Sequence, residues 1–255
     1  MTPRLVPLPG VDVACWDSGG AGEAVVLMHA AWGSGEHWAP QLRSLAGAGY
    51  RVIAWSRRGH HGSGTGSSND PGTMGGDLEA LADALDLGAF HLVGTALGAF
   101  GAIDFALGQQ DRLLSLTLVA SLCGLTDADF VAETRRLVPP SFEQLPIELR
   151  ELSAAYRLAS PAGTRLWRRL TARAVTERVH QPPEHVITRS ALCGLRLPTL
   201  FLTGDADPYM PPARMRTLAN CVPGSTYATI RAAGHSPAWE NQAAFDANLT
   251  GFLAG

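Results

Sequence analysis

Two loops near the carboxyl end of the chain carry an acid and a histidine that together could transfer protons. Asp207 lies in the loop GDADPYMP (204–211), and His235 lies in the loop RAAGHSPAWE (231–240). A carboxylate that orients a histidine is the arrangement that lets an imidazole take the proton of a hydroxyl nucleophile. The pair predicts general-base chemistry, provided that the fold brings both loops to one place.

A third feature has the form of a nucleophile's turn but carries a methyl group. The stretch HLVGTALGAF (91–100) is typical of a buried strand, a tight turn and the start of a helix, with Ala96 at the centre of the turn. Gly94 and Gly98 give the clearance that a strained backbone needs, so we expect Ala96 to have a positive φ. Because alanine cannot attack a carbonyl, the chain as written lacks a nucleophile for acyl-enzyme chemistry.

The elements that must position these residues alternate along the chain. Short β-rich runs, several of them apolar at successive positions, alternate with amphipathic stretches, which is typical of a mostly parallel sheet with helices on both faces. The predicted strands cover residues 11–16, 24–28, 50–55, 90–94, 116–121, 198–203 and 226–230, and the predicted helices cover 39–48, 74–87, 97–108, 213–220 and 240–253. Ligands of such sheets bind beyond the carboxyl ends of the strands, where the three features above would meet.

The stretch 124–195 interrupts this alternation, because it contains about four helix-like segments and no convincing strand. We interpret it as a helical cap inserted into one α/β core, which comprises residues 1–123 and 196–255. The cap would then cover the carboxyl edge of the sheet.

Composition and charge exclude several classes of partner. Twenty basic and twenty-three acidic residues give a formal net charge of −3, and no run of like charge is long enough to bind a nucleic acid or a membrane surface. No segment approaches the roughly 20 apolar residues of a membrane span, and the first residues lack the apolar run of a signal peptide. The four cysteines have no metal-site spacing, and His60 and His61 lack a third ligand. We expect a cytoplasmic monomer or homodimer that acts on a small molecule without a metal or other cofactor.

Taken in order, these motifs resemble the α/β-hydrolase superfamily over essentially the whole chain. The loops HAAWGSGEHW (29–38) and RRGHHGSG (57–64) join the turn GTALG (94–98) and the loops of Asp207 and His235. The resemblance implies the α/β-hydrolase fold with a helical cap, and the superfamily's order of nucleophile, acid and histidine matches positions 96, 207 and 235. One departure is Ser56, which stands where many relatives have an aspartate that organises the loop.

The resemblance also implies the groups around the reacting atoms. The backbone N–H groups of Ala31 and Leu97 are the expected oxyanion donors. The expected substrate-binding side chains are His29, Trp32, Tyr156 and Trp167. Of these, His29 would mainly brace the loop of Ala31 (29–38), which we call the oxyanion loop, through hydrogen bonds and would transfer no proton.

The predicted cap carries two sets of side chains that could bear on the substrate. Its aromatic residues suit an apolar or aromatic substrate, although they could equally pack against each other. Its basic residues are spaced as one face of a helix, for which solvation is the ordinary role, but one that turned inward could clamp a substrate carboxylate. The basic set is Arg165, Arg168, Arg169 and Arg173.

Serine fits position 96 better than aspartate does. Relatives with an aspartate nucleophile tend to have a tryptophan directly after the turn or two cap tyrosines, whereas here Leu97 follows and the presumed cap contains only Tyr156. A serine would imply hydrolysis of an ester, a lactone, a thioester or an activated carbon–carbon bond.

Three accounts of Ala96 stay open at this point. In the account that we prefer, the chain is a serine hydrolase whose nucleophile has been replaced, which leaves an inactive variant. In the second, a natural family member uses His235 and Asp207 as a general base for a lyase or cyclase reaction without a covalent intermediate. In the third, a receptor-like protein keeps the pocket but has lost turnover.

Overall fold

One sheet of eight strands runs through the computed structural model, which describes residues 2–138 and 140–255. The strands are β1 (Arg4–Leu8), β2 (Val11–Asp17), β3 (Ala24–Met28), β4 (Arg51–Trp55), β5 (Phe90–Thr95), β6 (Leu113–Val119), β7 (Thr199–Gly204) and β8 (Thr226–Ile230). Their order in the sheet is β1-β2-β4-β3-β5-β6-β7-β8. Strand β2 is antiparallel to both of its neighbours, whereas β3 to β8 are all parallel.

Helices cover both faces of this sheet. They are α1 (Ala39–Gly47), α2 (Met74–Ala84), α3 (Leu97–Gly108), α4 (Ala128–Leu137), α5 (Ile147–Glu151), α6 (Ala154–Ala159), α7 (Pro161–Ala174), α8 (Arg189–Cys193), α9 (Pro212–Ala219), α10 (Pro237–Glu240) and α11 (Gln242–Leu253). Within the described ranges, none of them is long and apolar enough to cross a membrane.

The central strands are apolar at successive positions because they are buried on both faces. In β3, Val26 belongs to the hydrophobic cluster that contains α2 and α3 residues such as Leu78 and Ile103. Its neighbour Val25 belongs to the opposite cluster, which contains Phe245 of α11. The predicted mostly parallel sheet with helices on both faces is therefore confirmed.

One strand was not predicted, and one predicted helix begins later than expected. The unpredicted strand is β1, whose sequence RLVPL contains a proline; β1 lies at the edge of the sheet, where a strand tolerates proline. The predicted helix 240–253 is interrupted, because Asn241 caps a new helix by accepting a hydrogen bond from the N–H of Ala244 at 3.3 Å.

The β6–β7 insertion (120–198) is the segment between these two strands. It contains helices α4 to α8, five instead of the predicted four or so, and no named strand in its described part. Three of these helices follow one another between residues 147 and 174.

A buried ion pair ties the insertion to the core. The Arg58 side chain donates to Asp77 of α2 at 2.8 Å, and both side chains are only 4% exposed. Gln181 of the β6–β7 insertion donates to the same carboxylate at 2.7 Å. Three separate segments of the chain therefore meet at one buried charge.

We expect the substitution Arg58→Gln to lower the free energy of unfolding by about 3 kcal/mol, because it leaves the Asp77 carboxylate buried without its cation. Urea denaturation of both proteins measures the difference. The matched control is Arg112→Gln, whose partner Asp83 is 62% exposed, and it should cost less than about 1 kcal/mol. Equal losses in the two variants would contradict this assignment.

Candidate active site

Ala96 occupies a strained turn between β5 and α3. Its backbone has φ 49° and ψ −115°, a conformation that L-residues rarely adopt. A Cβ added to Gly94 would lie 2.6 Å from the Cα of Ala99, and one added to Gly98 would lie 2.5 Å from the carbonyl oxygen of Met28. Only glycine fits at both flanking positions, and the expected positive φ is present at Ala96.

His235 and Asp207 form a buried hydrogen-bonded pair at the ends of β7 and β8. Nδ1 of His235 lies 3.0 Å from both carboxylate oxygens of Asp207. The other acid of the loop, Asp205, instead accepts a hydrogen bond from the N–H of Ala233 at 3.2 Å. The structure therefore pairs the histidine with Asp207, the acid that the sequence analysis assigned to it.

The ionisation of this pair is set by burial and by nearby charge. Burial alone would raise the pKa of Asp207, but His235 and the N–H groups of Met210 and Tyr209 hold it below its ordinary value. Burial alone would lower the pKa of His235, but Asp207 and Glu151 more than offset this effect and raise it to about 9. Below this pKa His235 favours the imidazolium form, so it must lose a proton before it can act as a base.

A cavity of about 170 Å³ joins the turn to the pair. Ala96, Leu97 and His235 line it together, so the methyl group and the histidine face one space. The remaining wall is formed by residues of the loop after β3, of helices α3 and α5 and of two further loops: Ala30, Ala31, Trp32, Phe100, Ala120, Leu122, Glu151 and Tyr209. We call this space the catalytic cavity.

The two expected oxyanion donors both belong to residues of this wall. Leu97 is the first residue of α3, so its N–H has no partner within the helix and lies at the positive end of the helix dipole. Ala31 belongs to the loop after β3, and its carbonyl oxygen lies 3.2 Å from Nε2 of His60. Both backbones are thus placed beside Ala96, where a negatively charged oxygen would need donors.

A model of the alpha/beta hydrolase family matches residues 25–247. The chain belongs to this family. A relative from Variovorax paradoxus is 41% identical over 105 residues, a match that covers 38% of this chain and 38% of the relative. The rhodomycin D methylesterase DauP of Streptomyces sp. strain C5 is 28% identical over 272 residues, which cover 88% of this chain and 90% of the relative. The enol-lactonase of Burkholderia xenovorans shares the fold, with a TM-score of 0.79 at 21% identity over 99% of this chain and 100% of that one.

In this α/β hydrolase, His29 braces the oxyanion loop. Its Nε2 accepts a hydrogen bond from the N–H of Arg57 at 3.0 Å, and its Nδ1 lies 2.8 Å from the carbonyl oxygen of Ala30. Burial lowers the pKa of His29 well below its ordinary value, so the ring is neutral. Both ring nitrogens bond within the protein, as the expected bracing role requires, and His29 also lines the smaller cavity that contains Trp167.

Three aromatic residues, Trp32, Trp167 and Tyr156, were expected to contact the substrate. Trp32 and Trp167 line cavities, whereas Tyr156 lies where α6 meets α7. Trp32 lines the catalytic cavity and also a neighbouring cavity of about 60 Å³, in which Trp167 and Trp239 form further walls. Tyr156 lines neither cavity, because its ring packs beside Gly163 in the corner between α6 and α7. The structure therefore places Tyr156 outside both cavities, and its contact with substrate stays a prediction.

Several polar residues of the sequence motifs have structural partners. Ser56, which stands in place of the usual aspartate, is fully buried and accepts a hydrogen bond from the N–H of Gly35 at 3.1 Å. His60 bonds to backbone carbonyls, and His61 lies 3.4 Å from Glu36. Among the described residues, no group of three or more histidine, cysteine or acidic side chains could hold a metal ion.

The sequence analysis missed Glu151, which lines both the catalytic cavity and its neighbour. It is the last residue of α5, it is 6% exposed, and its backbone carbonyl accepts a hydrogen bond from the N–H of His235 at 2.9 Å. Burial raises the pKa of Glu151. Nothing in its local sequence, IELRELS, distinguishes it from a solvated helix acid, so only the tertiary structure reveals it.

Proposed function

We propose that this chain has the site of an ester or lactone hydrolase in which Ala96 occupies the position of the serine nucleophile. One observation carries the proposal. Ala96 has the strained backbone of a nucleophile elbow, and it lines the same cavity as His235, which is paired to the buried Asp207. The methylesterase that is similar to this chain along 88% of its length supports an acyl bond as the target.

Each group has one role in this proposal. With a serine at position 96, His235 takes the hydroxyl proton during attack and later gives it to the leaving alcohol. Asp207 holds the imidazole in the required orientation and stabilises its charged form. The N–H groups of Leu97 and Ala31 bind the oxygen that becomes negative in the tetrahedral intermediate. With alanine, the substrate binds but the first covalent bond cannot form.

The cavity walls favour a small substrate whose reacting end is apolar or aromatic. Trp32, Leu97, Phe100 and Leu122 give the cavity apolar walls. We accordingly propose a small-molecule substrate with an apolar or aromatic part near the reacting carbonyl.

The exchange of Ala96 for serine tests this proposal. The variant should hydrolyse short p-nitrophenyl esters, and the parent chain should bind the same compounds without forming a covalent adduct. A folded variant that neither hydrolyses esters nor reacts covalently would contradict the proposal.

A second candidate function follows from the polar side of the cavity. His235 and Glu151 both face the space beside the Ala96 methyl group, so they could transfer protons for a lyase or cyclase reaction that needs no nucleophile. This candidate predicts that the parent chain, with Ala96 intact, turns over a substrate and that His235→Ala abolishes the turnover. Tight binding without turnover in either form would instead favour a receptor-like protein.

Glu151 gives the proposed site a pH dependence that can be measured. Asp207, Glu151 and Glu240 all raise the pKa of His235, and the base form exists only above that pKa. In the profile of kcat/KM against pH, the rising limb should therefore move to lower pH when Glu151→Gln is added to Ala96→Ser. The control variant Glu143→Gln, at an exposed position outside the cavity, should leave the limb in place. An unchanged limb in both variants would show that Glu151 does not act on His235.

A further inference from the structure

A groove rich in arginine shares one lining residue, Trp32, with the catalytic cavity. We call it the arginine groove and define it by Trp32, Glu148, Arg150, Arg165, Arg168 and Arg169. Its volume is about 660 Å³, several times that of the catalytic cavity. All of its arginines belong to α5 and α7 of the β6–β7 insertion.

The groove has more positive charge than its own acid can neutralise. Glu148 is its single carboxylate, and it lies 3.3 Å from Arg168. In the described part of the chain, no carboxylate lies within 4.0 Å of Arg165 or Arg169, and the buried Nε of Arg150 has no hydrogen-bond partner. Arg165, Arg168 and Arg169 are exposed, so water screens their mutual repulsion, but with Arg150 they leave a local excess of positive charge around one concave surface. Their planar N–H groups match the two oxygens of a carboxylate.

The groove and the catalytic cavity share a wall. The Trp32 side chain lines both spaces, and Arg150 in the groove directly precedes Glu151 in the cavity. A small molecule whose carbonyl lies beside Ala96 can therefore extend past Trp32 toward the arginines. In this pose its apolar part contacts the indole, and any anionic group at its far end lies among the guanidinium groups.

We propose that the arginine groove binds an anionic oxygen group of the substrate, at the end away from the reacting carbonyl. This inference rests on the proposed function, because it assigns to that hydrolase a substrate class: small esters or lactones that carry a carboxylate or a similar anion. The positive field would also attract such molecules from solution, an effect that salt weakens.

Binding to the parent chain tests the proposal, because Ala96 leaves the ester intact. The probes are mono-4-nitrophenyl glutarate, which carries a carboxylate, and 4-nitrophenyl valerate, a neutral ester of the same acyl length. Calorimetric titration at low salt should show the glutarate ester binding at least about tenfold more tightly, and added salt should reduce the difference. Equal affinities for the two probes, at low and at high salt, would overturn the proposal.

Paired variants locate the site. Arg165→Gln with Arg169→Gln should weaken binding of the glutarate ester by about tenfold and leave the valerate ester unchanged. The control is Arg135→Gln with Arg136→Gln, which removes the same charge from exposed positions on α4. Equal weakening by the two double variants would show a long-range effect of net charge and would overturn the assignment to the groove.

The outcome also separates this inference from the proposed function. If Ala96→Ser hydrolyses both esters with equal kcat/KM and the parent binds both equally, the hydrolase stands and the anion site fails. If Ala96→Ser is inactive but the parent still prefers the glutarate ester through Arg165 and Arg169, the anion site stands and the hydrolase fails.

Discussion

The Ala96→Ser variant should hydrolyse p-nitrophenyl butyrate with a kcat/KM at least about 10⁴-fold above that of the parent chain. In a serine protease, loss of the nucleophile alone lowers turnover by about 10⁶. The expected gain is smaller, because a simple ester uses little of the substrate-binding energy. The serine needs no backbone change, since position 96 already has φ 49° and its Cβ already faces the catalytic cavity.

A second serine in the same cavity provides the control. Ala120 also lines the catalytic cavity, but it lies after β6 and not at the start of α3. Ala120 is itself fully buried, so Ala120→Ser places a hydroxyl in the wall of the cavity without the helix N-terminus behind it, and it should not raise esterase activity. Activity that rises equally in the two variants would show that the turn at position 96 has no special role.

Asp207→Asn, introduced into the Ala96→Ser background, should lower kcat by about 10⁴, the loss seen when the same change is made in a serine-protease triad. An amide in place of the carboxylate cannot stabilise the imidazolium, and it favours the wrong histidine tautomer. The pair is buried, with 0% exposure of the Asp207 side chain, so water cannot replace the lost charge. Steady-state kinetics on one ester gives the ratio.

The matched control is Asp205→Asn, two residues away in the same loop. Asp205 accepts a hydrogen bond from the backbone of Ala233 but does not contact His235, so the control should lose less than about tenfold in kcat. If Asp205→Asn and Asp207→Asn lowered kcat by the same factor, Asp207 would not be the one acid that orients His235.

Features that depend on local sequence were accessible before the structure. The strained turn follows from Gly94 and Gly98, because each glycine marks a place where a side chain would collide with backbone. The parallel sheet follows from strands such as AVVLM, whose residues are all buried. The convergence of Asp207 and His235 follows from the rule that loops after parallel strands meet at one edge.

Features that depend on the packing of the β6–β7 insertion were not accessible. The periodicity of its helices indicates which residues share a helix face but not what that face contacts, so Tyr156 was assigned to the site and Glu151 was missed. The same limit applies to the arginines of α7. Their spacing predicted that they share one helix face, and only the structure shows that Arg165, Arg168 and Arg169 border a groove next to Trp32.

Fluorophosphonate labelling of the Ala96→Ser variant tests the central claim most directly, because the reagent reports an activated serine without any knowledge of the substrate. The claim is that position 96 is a nucleophile site with its base and oxyanion donors already in place. Mass spectrometry should find one label per chain, on the serine at position 96, and the label should be lost when His235→Ala is added. The parent chain should take no label. A folded variant that stays unlabelled, or one labelled equally with and without His235, would contradict the account.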